Sequence, residues 1–154
     1  MASKKAPKAS YIHQLWSQVI RERDDYTCTV CGRNFRHDTG ALDASHLRSR
    51  GMGGGSPHMK YALLNGSAKC KDSFGPHPNG CHTFMDRHPM EHLEWIKGFL
   101  GEERYAALRD LEMTTNDLPK MTDKDKKELA ATLRGHLKSL RASRAAGEIG
   151  VLEI

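Results

Sequence analysis

Between Asp43 and His88 the chain sets out residues suited to metal and proton chemistry: Asp43, Ser45 and His46, then Asn65, then Cys81-His82, Asp86 and His88. Upstream stands Cys28-Thr-Val-Cys31-Gly32, and Cys70 lies between Asn65 and Cys81. A histidine of ordinary pKa is largely neutral at pH 7 and can take a proton from water. Imidazoles and carboxylates hold divalent ions, and clustered thiolates hold a tetrahedral one. Asparagine does not titrate, and its amide ties loops together through hydrogen bonds. His46 is therefore the candidate base, Asn65 the residue that aims it, and His82 a candidate ligand at the start of a helix.

The cysteines read as a second, structural centre. Cys28 and Cys31 face each other across a tight turn in which Gly32 can take a positive φ. A redox pair with this spacing belongs in a βαβ setting that the flanking residues do not show. In a reducing compartment disulfides are rare, so Cys28, Cys31, Cys70 and Cys81 are read as a structural zinc set, in which a histidine could replace one thiolate.

These groups need elements to position them. Ile12, Leu15, Trp16 and Val19 recur at helical spacing, so a helix is expected over 11–24 with Ser10 as its cap. Residues 41–48 and 61–65 are expected to be two strands of a hairpin, joined through the glycine-rich loop 51–57. Lys71 to Gly80 reads as an inserted loop. A helix from Cys81 stops at Pro89, and apolar spacing predicts two more, from Met90 to Gly101 and from Glu102 to Glu112. Beyond a polar linker, Thr122 opens a helix to about Ala146, ended by Gly147 and striped with Leu129, Leu133, Leu137 and Leu140. That stripe can dock on the domain or pair with a second copy as a homodimer. The expected organisation is a disordered basic arm over 1–9, a domain over 10–114, and a linker, helix and tail over 115–154.

The chain has 24 Lys and Arg against 19 acids and a pI near 9.1. Residues 1–60 carry ten cations against five acids. That balance favours a polyanionic partner. No stretch approaches the roughly 18 apolar residues of a membrane helix, and a soluble cytoplasmic protein without membrane association is expected.

Hydrolysis of a phosphodiester calls for a base, a Lewis acid on the phosphate and a group that holds the base. The ordered set His46, Asn65 and Cys81-His82, with two cysteine pairs, resembles the HNH, or ββα-metal, endonuclease family. Asp43-Ala-Ser-His-Leu-Arg-Ser-Arg-Gly51, the five-residue step from Asn65 to Cys70, His88-Pro89 and Gly101 to Leu108 are most similar to small phage HNH proteins and NinG/Rap-type recombination endonucleases. The likeness covers roughly residues 26–112. It implies an α+β fold with a zinc-stapled ββα-metal core and flanking helices. It also implies a DNA endonuclease of phage DNA processing or recombination, using one divalent ion such as Mg²⁺ or Mn²⁺. Ser45 stands where the family has an Asp or His, so Asp43, on the same strand face, is taken with His82 as the ligand pair; Ser45, Asp86 and His88 are alternates. Arg48, Arg50 and Lys60 are the expected contacts to the DNA backbone. A non-catalytic, zinc-stabilised DNA-binding module is the competing reading.

Overall fold

The computed structural model describes residues 5–49, 55–71 and 76–154. Arg50, Gly51 to Gly54 of the expected glycine-rich loop, and positions 72–75 of the expected insertion lie outside them. The architecture is α+β: five helices around one two-stranded sheet.

Helix α1 (Ala9–Arg23) turns Ile12, Leu15, Trp16, Val19 and Ile20 inward, as their spacing requires. It starts ahead of Ser10; Lys8 holds the N-cap position without a side-chain cap, so Ser10 lies in the first turn instead. At the other end Arg23 is nearly buried. Its guanidinium donates to the Leu63 and Gly66 carbonyls at 2.8 and 2.7 Å and pairs with Asp24, which in turn accepts from the Ala68 N–H. This buried pair ties α1 to the sheet.

Strand β1 (Leu42–His46) pairs antiparallel with β2 (Gly66–Cys70), in a register running from Leu42 opposite Cys70 to His46 opposite Gly66. The second strand therefore lies beyond the expected 61–65. Those residues instead leave the short helix α2 (Pro57–Lys60), pass Tyr61, and make a single 3-10 turn over Leu63–Asn65. The apolar run misleads because Tyr61 and Leu64 are drawn into different packing clusters. The true strand, Gly-Ser-Ala-Lys-Cys, has weak β preference but is buried at every position between helices on both faces. Small residues are needed there: a Cβ on Gly66 would come within 2.5 Å of Ile20 and 2.7 Å of Trp16. Tertiary packing overrides local preference.

Helix α3 (Gly80–Arg87) ends at His88, and α4 (Pro89–Thr115) follows, bent at Gly101, whose φ of 75° separates the two expected helical segments. Helix α5 (Asp123–Ala145) opens with a complete capping box between Thr122 and Asp125, and Gly147 beyond it has a φ of 93°. Its Ala130, Leu133, Leu137 and Leu140 share one core with Ile12, Leu15, Trp16, Val19 and Ile20 of α1. The leucine stripe is thus buried within the chain, and a second copy could use it only by displacing α1. Packing does not divide at residues 114–115: the last long helix completes the core of the first. Arg144 fastens this arrangement by donating to the Glu22 and Gly150 carbonyls, and the Leu152 N–H donates to the Arg23 carbonyl. No described helix is long and apolar enough to cross a membrane.

Candidate active site and metal centre

Three segments bring the cysteines together. The turn after α1 carries Cys28 and Cys31, with Gly32 at a φ of 77° and its N–H donated to the Cys28 carbonyl. Cys70 ends β2, and Cys81 sits in the first turn of α3. Gly80 before it, at a φ of 84°, lies so close to Lys71 that a Cβ would come within 2.5 Å of the Lys71 Cα. One ligand atom from each of the four thiols lies within 4.8 Å of the others, and Cys31 Sγ is 3.9 Å from Cys70 Sγ. A tetrahedral site with Zn–S near 2.3 Å has edges of about 3.8 Å, so the set fits such an ion, and all four thiols are free. Burial pushes the Cys70 thiol up to about 11 and the Cys81 thiol higher still. Burial also opposes ionisation of Cys28, but the N–H groups of Cys31, Cys70 and Val30 outweigh it and lower that thiol. Four thiolates at this depth call for a cation's charge, and the group can hold a structural metal such as zinc.

Next along α3 from Cys81, His82 is presented to β1. Its Nδ1 lies 3.0 Å from Asp43 Oδ2, and its Nε2 lies 3.5 Å from Asp86 Oδ2 one turn later. Asp43 also pairs with Lys71 at 3.4 Å. The His82 contact first, and Lys71 with it, hold the Asp43 carboxyl below its usual range despite burial. With Nδ1–H donated to Asp43, the second ring nitrogen of His82 can serve as an acceptor facing the Asp86 carboxylate. Two acceptors facing at that distance suit a cation between them. Asp86, an alternate by sequence, thus lies at His82 Nε2, where the two could hold a cation, and Asp43 lies at Nδ1. His88 is separate: its Nδ1 contacts the Phe84 carbonyl at 2.8 Å, and its ring stacks on Phe84, as does that of His77.

His46 closes β1 on the opposite strand face, stacked on Trp16 at 4.4 Å and nearly parallel to it. Its Nε2 lies 3.0 Å from the Lys60 carbonyl. A carbonyl only accepts, so Nε2 carries the hydrogen and Nδ1 keeps the lone pair. Burial, with smaller help from His13, Lys60 and His82, lowers the His46 pKa to about 4 against the raising effect of that carbonyl. His46 and Asp86 line one cleft of about 230 Å³, together with Arg48 and His92.

Asn65 is fully buried, and its side-chain hydrogen bonds go to Arg48 and Met59 rather than to His46. Its Oδ1 accepts the Arg48 N–H at 2.7 Å, and its Nδ2 donates to the Arg48 and Met59 carbonyls. It locks the chain just after β1 to the turn before β2, while the Lys60 carbonyl and the Trp16 ring hold His46. Ser45 is 1% exposed, and its hydroxyl accepts from Lys69 Nζ at 3.0 Å, which turns it away from any metal. The Arg48 guanidinium is held by Glu112 at 2.7 Å, so it is not an open contact for DNA. Lys60 sits over the Tyr61 ring, and Arg50 lies outside the described residues.

Two residues emerge only in three dimensions. Lys69 is fully buried, donates to Ser45 and Ser67, and rests 4.7 Å from the Trp95 ring centroid. Burial lowers it to about 7, while the charges of Cys28, Asp86, Asp24 and Cys81 work the other way. With β2 misplaced, its facing was hidden. His92 of α4 enters the cleft with an Nε2 that has no partner among the described residues; burial and the nearby Lys69 charge bring it to about 4. Its place at the start of an amphipathic run signals nothing by itself. No protein-family model, curated protein or solved structure matches the chain.

Proposed function

We propose that the chain is a metal-dependent DNA endonuclease of the ββα-metal kind, serving phage DNA processing or recombination. The observation that carries this reading is the shared cleft. His46, neutral and pinned through Nε2, stands there with Asp86, whose carboxylate faces His82 with Asp43 behind the ring. His46 Nδ1 is the atom free to accept a proton from an attacking water. Asp43 fixes the orientation of His82, and the cysteine set anchors the helix start from which His82 projects. A divalent ion such as Mg²⁺ or Mn²⁺ held by His82 and Asp86 would supply Lewis acidity to the scissile phosphate and the leaving oxygen.

The assay is nicking of supercoiled plasmid with Mg²⁺ or Mn²⁺. His46→Ala is expected to lose about 10²–10⁴ in rate. Asp86→Ala is expected to abolish divalent-ion-dependent nicking, while Asp43→Ala weakens ion affinity by roughly 10–100-fold. Equal nicking by wild type and His46→Ala sinks the reading. The Lys69 ammonium bonded to Ser45 favours a second reading, a zinc-stabilised DNA-binding module without catalysis. It predicts salt-sensitive DNA binding and no His46-dependent cleavage.

A further inference from the structure

Lys5 and Lys8 of the N-terminal arm meet Lys127 and Arg134 of α5 across a groove of about 420 Å³. Pro7 and Ala130 also line it, as does Tyr11 with 40% of its surface exposed. No acidic residue lines the groove, and none of the four cations has an ion-pair partner among the described residues. Like charges so placed repel one another unless an anion sits among them. Further along α5, Lys138 and Arg141 are exposed and equally unpaired. At about 100° per residue, Lys127, Arg134, Lys138 and Arg141 fall on one edge of the helix, an edge of about 21 Å. The other exposed flank carries Glu128, Thr132 and Ser139 instead.

The groove shares no lining residue with the candidate cleft. Tyr61, which follows Lys60, bonds through its hydroxyl to the Ala9 carbonyl at 3.4 Å. Tyr11 lies about 7–8 Å along α1 from Trp16, on which His46 stacks. We infer that the groove between the arm and α5, with the basic edge beyond it, binds the phosphodiester backbone of DNA outside the cleavage site. An exposed tyrosine among cations suits a nucleic acid better than an acidic peptide, because it offers a base or sugar a flat apolar surface. The inference rests on the reading of DNA as substrate. It gives the N-terminal arm and the last helix a joint task that neither has alone.

The test measures binding of a fluorescent duplex to full-length protein carrying His46→Ala, without divalent ion and over a range of salt. Lys8→Gln/Arg134→Gln is compared with Lys97→Gln/Arg104→Gln, a pair on α4 with the same charge change. Each phosphate contact contributes about 0.9 to the slope of log K against log salt. The groove pair should lower that slope by about 2 and weaken binding by about tenfold to a hundredfold near 0.1 M salt, while the α4 pair leaves both nearly unchanged. Equal losses in the two pairs, no loss in the groove pair, no DNA binding at all, or tighter binding to anionic lipid vesicles than to DNA would each overturn the inference. A failure of the nuclease reading is seen separately, as wild-type protein that binds the duplex and never nicks plasmid.

Discussion

Asn65→Ala separates a structural from a chemical role for the residue between base and helix. The substitution deletes three hydrogen bonds in a fully buried place: the Arg48 N–H to Oδ1 at 2.7 Å, and Nδ2 to the Arg48 and Met59 carbonyls at 3.1 and 3.2 Å. A typical internal hydrogen bond contributes about 1 kcal/mol net, and a buried group left unpaired costs about 1–3 kcal/mol. The expected destabilisation is therefore about 3 kcal/mol. For a chain of this size that lowers Tm by roughly 6–12 °C. Asn65→Asp should be worse than alanine, because it keeps the acceptor for Arg48 but sets a buried carboxylate against two carbonyl oxygens. Thermal unfolding by circular dichroism, beside plasmid nicking at a temperature where each variant is folded, reads both effects. A Tm within 1 °C of wild type together with abolished nicking would refute the argument, because Asn65 would then act on the chemistry and not on the loop.

The other predictions concern the base, the cysteines and the packing beneath them. Since His46 has a folded pKa of about 4 against 6.5 unfolded, it is neutral in both states above pH 6.5 and adds no pH dependence there. As pH falls from 6.5 toward 4 the unfolded chain binds the proton first, so stability drops, by no more than about 2 kcal/mol once partial exposure is discounted. The acid limb of the cleavage profile should accordingly lie nearer 4 than 6.5, and a limb at 6.5 that vanishes in His46→Ala would contradict it. Removing a bound ion with a chelator under reducing conditions should unfold the hairpin and α3, followed by loss of near-ultraviolet dichroism; a chain unchanged by chelation would show that the thiols do not staple the fold. Gly66→Ala should cost about 1–3 kcal/mol by forcing its Cβ against Ile20 and Trp16, and Ile20→Val should recover part of it. Additive losses in the double variant would count against that contact.

Helices were legible wherever one face was apolar and the ends were marked, as with Trp16 and Val19 in α1 or Thr122 and Gly147 around α5. The cysteine set was legible because thiol chemistry narrows the choices. The second strand was not, because Gly66, Ser67 and Ala68 carry little apolar signal and Lys69 is charged, all buried by tertiary packing, and an apolar run just before it mimics a strand better. That displacement hid the opposition of Asp43 and Lys69, and with it the burial of Ser45 under an ammonium. His82 and Asp86 share a helix face at a spacing that sequence can read. Their relation to Asp43 depends on where β1 meets α3, and no local pattern contains it. Arg48 read as an open cation because its partner, Glu112, is far away in the chain.

The shared core of α1 and α5 bears on how the chain is made. Synthesis runs at about 5–20 residues per second, and contacts distant in sequence form last. The hairpin, the four thiols and His82 have all been made by the time α3 is complete. Ile12, Leu15 and Val19 must wait for Leu133, Leu137 and Leu140 before their apolar face is covered. A product stopped at Asn116 would hold every candidate ligand and the base, yet leave that face open to solvent, to other nascent chains and to proteases. Dye binding to such a fragment, set against its absence in the full chain, would show it. Completion of α5 thus decides when the apolar face of α1 is covered.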